Sequence, residues 1–451
     1  MTPRLRPSRH VVVLLAGVAV FLIVLTRGKA AAFVYDAQVY WMLTEQLTHG
    51  HLPHLPADID LRGIWTAVVY LPAALIANLA PGYSPQRLVL LENALLIALL
   101  AVVILPAIIR RITPAGGCWP SLACAALVTV IVRGFAPYPL MDLSAAVVAF
   151  AAIALLLKPQ RWWVVVLSGV LFGIAVNLRP AYLIPSAFGY AVWLYRAAWP
   201  GALLPLAGVA IALIPQVAAN VIQYGSWLAV PVASGVVRDL QFQYAGYITR
   251  YDTLIGSAIT EPRQFFCDPS QAASLAGQSI HGAAALLGHL ARQAPSSLLF
   301  LGRKIGASLL WSPATPYAQT STGALTALSL FVLLVSAAGI TALAVGLVRH
   351  GQRDRHPVAV LLAFTLGSVA TVAGSTPEAR FALPIVMAGV LGCAAAPSLV
   401  RAPLGQRRTR IIIVGISAAA AWAVFLMLGL SGLAHPAPPG GITAEICALV
   451  Q

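Results

Sequence analysis

The chain has 451 residues, of which 60% are hydrophobic and only 9% charged, with a mean hydropathy of +0.86. No soluble fold hides that much apolar surface, so the composition excludes a water-soluble enzyme and points to a polytopic membrane protein. The formal charge of +15 belongs, in such a protein, to loops that face anionic lipid and fix topology, rather than to a nucleic-acid surface.

The first apolar run, near 11–25, follows Arg4, Arg6 and Arg9. It reads as an uncleaved anchor, although Ala30-Ala31-Ala32 beyond it loosely resembles a signal-peptidase site. Runs long enough to span follow near 87–109, 117–133, 140–157, 162–178, 180–196, 201–222, 323–347, 357–374, 380–398 and 411–430. The expected fold class is therefore an all-α transmembrane helical bundle of about eleven spans on the length criterion.

Residues 64–80 would also pass a hydropathy filter. If they crossed, the short basic loops at Arg110-Arg111, Lys158/Arg161, Arg196, Arg349/Arg353/Arg355 and Arg401/Arg407/Arg408/Arg410 would all face outward, against the positive-inside rule. Read instead as an interfacial helix, 64–80 leaves 15 of the 28 Lys and Arg in cytoplasmic loops and Asp354 as the one cytoplasmic carboxylate among 13. Trp65 and Tyr70 would then anchor it at headgroup level. Arg303 and Lys304 make spanning costly for 296–311, which reads as a second interfacial helix with its cations near lipid phosphates.

This threading gives one domain with a cytoplasmic N-terminus, two outer excursions (26–86 and 223–322) and an outer tail at 431–451. No internal repeat or low-complexity linker divides it. The five cysteines form no CxxC or zinc spacing. Cys267 and Cys447 fall outside, where a disulfide is possible.

Candidate chemistry lies on the outer face. Asp36, in Tyr35-Asp36-Ala37-Gln38-Val39-Tyr40-Trp41, opens a helical pattern (Tyr40, Leu43, Leu47, then Gly50). It can be a helix N-cap, a general base at the membrane surface, or both. Asp58-Ile59-Asp60 could share a divalent ion or be a solvated loop. His49, His51 and His54 form an H-x-H-x-x-H run that reads more as a polar loop than as a zinc site. Glu92 and Asp142 stand at the outer ends of spans, and Asp142 faces the same compartment as Asp36.

Three polar–proline clusters meet the outer surface. They are Asn177-Leu178-Arg179-Pro180, Pro215 to Asn220 with Tyr224-Gly225-Ser226, and Pro377-Glu378-Ala379-Arg380-Phe381-Ala382-Leu383-Pro384. Arg179 and Arg380 are fixed cations suited to a phosphate at headgroup depth, although snorkelling arginines also anchor helix ends. Glu378 is placed to orient Arg380.

Taken in order, these features resemble the GT-C superfamily of integral-membrane glycosyltransferases, particularly the bacterial relatives of protein O-mannosyltransferases and aminoarabinose transferases. The resemblance runs over most of the chain. It rests on Asp36-Ala37…Tyr40…Gly50, the interfacial helix, the helix from Arg87-Leu88 to Arg110-Arg111, and the three polar–proline clusters.

The resemblance implies a sugar transfer from a polyprenyl-phosphate donor to an acceptor hydroxyl of a glycan, lipid or protein. Asp36 would be the base, and Arg179, Arg380, Glu378, Asp142, Tyr40 and Asn220 would contact substrate. Asp58 and Asp60 would be the ligands of any divalent cation (Mg or Mn). Asp36 is not followed by a second acid, as it is in many of these transferases, and no large domain follows the last span. Two other readings remain. A lipid or solute transporter predicts polar residues through the bilayer midplane, and a polysaccharide polymerase or ligase predicts a catalytic loop late in the chain.

Overall fold

The computed structural model describes residues 9–54, 62–80, 82–113, 118–158, 161–195, 201–231, 235–255, 263–311, 315–318, 326–349, 352–399, 404–438 and 442–450. Helices stand at all eleven expected spans. They are α1 (Arg9–Arg27), α5 (Pro85–Leu99) running into α6 (Leu105–Ile112), α7 (Trp119–Val132), α8 (Met141–Leu156), α9 (Trp162–Leu178), α10 (Leu183–Leu194), α11 (Leu204–Tyr224), α16 (Ala327–Arg349), α17 (Gln352–Gly374), α18 (Leu383–Leu399) and α19 (Leu404–Gly432). Among the described residues, seven of these helices are long and apolar enough to cross a membrane. Between α5 and α6 a π-turn, Leu100–Ile104, precedes Pro106, whose missing N–H cannot continue the i→i−4 ladder.

Helices α8 and α18 are buried along nearly their whole length and form the centre. Around them, α1 and α19 expose large apolar side chains such as Leu14, Leu15, Ile416 and Met427, as lipid-facing helices do. Close pairs use small residues, as membrane helices without a hydrophobic driving force require. A Cβ on Gly169 of α9 or Gly208 of α11 would strike the partner's backbone, and Gly339 of α16 packs on Gly389 of α18 in the same way.

The segment 64–80 does not form one continuous helix. It forms α3 (Trp65–Val69) and α4 (Leu71–Leu79), 5 and 9 residues long, far short of the roughly 20 that a bilayer needs. Leu75, Ile76 and Leu79 are exposed, as in an interfacial helix. The expected anchors are corrected, because Tyr70 is fully buried. Its hydroxyl bonds Asn93 (3.1 Å) and donates to the Leu140 carbonyl (3.2 Å), while Trp65 donates its indole N–H to the Ala212 carbonyl (2.7 Å).

A smaller cap sits at the end of the bundle that carries α2 (Asp36–Thr48). It contains α12 (Gly235–Ala245), β1 (Ile248–Thr253), β2 (Arg263–Cys267), α13 (Pro269–Leu275), α14 (Gly282–Arg292), α15 (Ala294–Leu309) and α20 (Ala444–Ala448). It has its own apolar core, including Tyr247, Ile248, Leu275, Ile280 and Leu286. The two strands pair antiparallel from Ile248↔Cys267 to Thr253↔Arg263, with an irregularity between Ile248 and Arg250. This hairpin is an addition to an otherwise all-α fold. Its β-branched and aromatic run Ile248-Thr249-Arg250-Tyr251 suits a pleated, half-buried surface.

The C-terminal tail continues the pairing, with Cys267 N–H donating to the His435 carbonyl and Ala437 N–H to Phe265, each at 2.8 Å. Cys267 and Cys447 form a disulfide across 180 residues of sequence. Cys447→Ser should therefore lower cap stability by about 2–4 kcal/mol. The measurement is the unfolding midpoint under oxidising conditions, and equal midpoints would show that the bridge contributes nothing.

Helix α15 joins the cap to the bundle, packing along α19 through Gly306 on Gly429, and its cations do not reach for lipid, which corrects a second expectation. Arg303 pairs with Asp268 at 2.7 Å. Lys304 is fully buried, 5.0 Å from the Phe300 ring centroid, and donates to the Ala245 carbonyl at the end of α12 at 2.8 Å. Burial pulls the Lys304 amine down to about 7. Unfolding then takes up a proton between about pH 7 and the ordinary lysine value near 10.5, so stability should rise with pH across that window. Lys304→Met should flatten this rise in thermal unfolding measured from pH 7 upward.

Candidate active site

Prolines end and restart helices at one end of the bundle, and charged side chains occupy those breaks. Arg179 follows the last residue of α9 and precedes Pro180. That neighbour forces it out of the helical region, to φ −147° and ψ 104°. Asp142 is the second residue of α8, just past Pro139. Arg380 lies in a 3₁₀ turn, Ala379–Ala382, that leads into α18 ahead of Pro384. Asp36 is the first residue of α2.

These breaks converge. One Asp36 carboxylate oxygen accepts from Arg62 Nη2 at 2.8 Å, and the other accepts from Arg380 Nη2 at 2.6 Å. Arg380 Nε donates to Glu378 Oε2 at 2.5 Å, and its Nη1 lies 3.7 Å from Asp142 Oδ2. Asp142 Oδ1 accepts from Arg179 through Nε at 2.9 Å and also through Nη2. Aromatic faces back the guanidinium groups, with Arg179 4.8 Å from Phe381, Arg380 5.7 Å from Tyr317 and Arg62 5.1 Å from Tyr40. The side chains of Arg380 and Glu378 are 2% exposed and that of Asp36 is 23%, so the cluster opens at Asp36 and closes at Glu378.

Burial by itself would raise the Asp36 carboxyl, but the charges of Arg380, Arg62 and Arg179 outweigh it and hold it well below the usual carboxylate range. Glu378 is raised by burial, and Arg380 offsets part of that. Burial works against the Arg62 guanidinium, and the Asp36 carboxylate beside it more than offsets that. A cavity of about 20 Å³ borders Asp142, Arg179, Tyr182, Arg380 and Phe381. Asp142 Oδ2 and Arg380 Nη1 are buried there without a hydrogen-bond partner. The space suits one water-sized polar group.

Of the residues singled out in the sequence, Asp36, Asp142, Arg179, Glu378 and Arg380 thus come together, and the Tyr40 ring lies against Arg62 at their edge. Asn220 does not join them. Both of its amide hydrogens go to the Leu228 and Val230 carbonyls (2.7 and 2.8 Å), and its oxygen accepts from Gln216 at 2.9 Å. Its polar capacity is consumed in fixing the turn after α11.

Gln216 and Asn177 in turn accept the N–H groups of Ile64 and Trp65 at 2.8 and 3.0 Å. They pin the entry to α3 and so place Arg62. Asp58 and Asp60 lie outside the described residues. Sequence reasoning missed Arg62 and Tyr317. Arg62, like Arg179 and Arg380, is a cation where a polar segment meets an apolar helix, but it lacks the neighbouring proline that marked those two. Tyr317 carried none.

Among the described residues no group of three or more His, Cys, Asp or Glu side chains is arranged to hold a metal. The cluster as packed does not fit a divalent cation, because guanidinium groups take both Asp36 oxygens and Oδ1 of Asp142. Its three arginines, held by three carboxylates, instead suit an anion that can exchange places with a carboxylate.

No protein-family model matches the sequence, and no curated protein matches it either. Among solved structures, the chain is similar to the oligosaccharyltransferase of Archaeoglobus fulgidus tethered with an acceptor peptide containing the NVT sequon. The TM-score is 0.52 at 14% identity, covering 94% of this chain and 55% of that one. That likeness is one of fold, shared with a membrane protein over nearly the whole of this chain. The apo form of the same Archaeoglobus protein gives a TM-score of 0.49 at 14% identity, with 96% and 56% covered. The chain therefore spans about half the length of the solved protein, 55%.

Proposed function

We propose that this protein is an integral-membrane glycosyltransferase of the cell envelope. It moves a sugar from a polyprenyl-phosphate donor to an acceptor hydroxyl of a glycan, lipid or protein on the extracytoplasmic face, inverting the anomeric carbon. The observation that carries the reading is the partly open Asp36 carboxylate held between Arg62 and Arg380, with Arg179 linked to Arg380 through Asp142. The GT-C fold supports it. So does the gathering of charge at one end of the bundle, where a transporter would distribute polar groups through the midplane.

The pairing also suggests how a weak base becomes useful. In the resting cluster Asp36 is too acidic to take a proton from a hydroxyl. A lipid phosphate arriving at Arg380 and Arg62 competes for the guanidinium groups that depress it. As they turn to the phosphate, Asp36 gains basicity while the donor seats. Asp36 then takes the acceptor's proton, and the acceptor oxygen bonds to the anomeric carbon from the face opposite the phosphate. The carbon–oxygen bond to phosphate breaks with its electron pair going to the phosphate, and the arginines stabilise that charge.

The test is sugar transfer by purified protein from a panel of radiolabelled polyprenyl-phosphate sugars. Turnover with at least one donor is expected. Saturable donor binding or vesicle flipping without turnover would replace this reading with transport.

A further inference from the structure

We infer that Tyr317 is a positioning residue for Asp36, its hydroxyl clamping the turn that presents the carboxylate; this rests on the glycosyltransferase reading of the site. Residues Val34–Ala37 form a tight turn closed by Ala37 N–H donating to the Val34 carbonyl at 3.1 Å. Its first central residue, Tyr35, has φ 50° and ψ −126°. Those are the dihedrals of the first central position of a type II′ turn, where glycine normally stands. Tyr35 is the one non-glycine at positive φ among the described residues.

A side chain there disfavours the turn, so something outside the turn must hold it. The Tyr317 hydroxyl supplies that hold. It donates to the Val34 carbonyl at 3.2 Å and accepts from Ala37 N–H at 3.4 Å, bridging both ends of the turn. Asp36 lies between those two ends.

Tyr317 is itself fixed on all sides. Its ring meets Tyr138 edge-on at 4.9 Å and Tyr35 at 6.2 Å. The next residue, Ala318, is stitched to the end of β1, its N–H donating to the Thr253 carbonyl (2.9 Å) and its carbonyl accepting from Ile255 (2.8 Å). The neighbouring backbone of β1 bonds the other half of the cluster. Tyr251 N–H donates to the Pro377 carbonyl at 3.0 Å, and Thr253 N–H donates to Glu378 Oε1 at 3.3 Å. One strand thus registers Asp36, through Tyr317, against Glu378 and Arg380.

The test is Tyr317→Phe, which keeps the ring under Arg380 and removes only the hydroxyl. Hydrogen exchange should quicken at Ala37 and the first turn of α2 and stay unchanged over 377–383. Because the donor-binding arginines are untouched, kcat should fall about 30-fold while the donor KM stays within about twofold. Unchanged exchange at Ala37, a kcat within about twofold of wild type, or a loss confined to KM would each overturn the inference. If wild-type protein turns over no polyprenyl-phosphate sugar, the functional reading fails separately, and the exchange measurement still decides whether Tyr317 holds the Asp36 turn.

Discussion

Asp36→Asn should abolish sugar transfer while leaving the bundle folded. The amide cannot take a proton, and losing a positioned general base costs about 10²–10⁴-fold in rate. It also presents an NH₂ group to one of the two guanidiniums that the carboxylate now accepts from, so one of those bonds opens. The fold tolerates this because Arg380 keeps Glu378 at 2.5 Å, Arg62 keeps its place over Tyr40, and the Asp36 side chain is 23% exposed, so water can fill in.

The stabilisation that Asp36 gives is fully present above the ordinary carboxylate range and is lost only as pH falls through its lowered value. An acidic limb in the pH–rate profile of the free enzyme therefore belongs to another group. The measurement is transfer from radiolabelled donor beside an unfolding curve. An Asn variant that is active and well folded would send the search for the base to Asp58, Asp60 and Asp142.

Arg380→Ala should have the largest effect on stability. This guanidinium is 2% exposed and faces Asp36, Glu378 and Asp142 together. Removing it leaves Glu378 buried with the single Thr253 N–H at 3.3 Å. Breaking a buried pair from one side costs about 3–5 kcal/mol. The loss should depend on pH. Burial already pushes Glu378 up and Arg380 pulls it partly back, so without Arg380 the carboxyl takes a proton. A raised acid costs nothing below its ordinary value and costs progressively more as pH rises toward the raised one. The unfolding midpoint of Arg380→Ala should thus fall further behind wild type as pH increases.

Adding Glu378→Gln should recover part of the loss, since the two groups form one network. Additive losses in that double variant would argue against the pairing. Arg380→Lys should rescue little, because one ammonium cannot keep three fixed directions at once.

Much of this architecture follows from local pattern. Helix α9 ends at Arg179 because Pro180 follows, and the reading of 64–80 as something other than a spanning helix agrees with the two short helices found there. The hairpin β1–β2 was missed, because its short strands pair within a polar stretch and gain their place from the tail at His435–Ala437 and from Pro377. Lys304 was misplaced for a related reason. A lysine in an amphipathic helix suits a lipid headgroup equally well until the carbonyl end of α12 is known to lie within 2.8 Å of it.

By itself the sequence determined the membrane class, the positions of the helices and the concentration of acids and arginines at helix ends beside proline. Hydropathy, length and backbone dihedral limits act over one turn or one span, and are complete in any local window. Only the tertiary structure decided which arginine meets which acid, that Arg62 and Tyr317 join the cluster, and that Asn220 does not. Asp36 and Arg380 are 344 residues apart. Their contact depends on how the fold brings the start of α2 beside the turn that leads into α18 and on where the cap presses its strand, and no local pattern encodes that geometry.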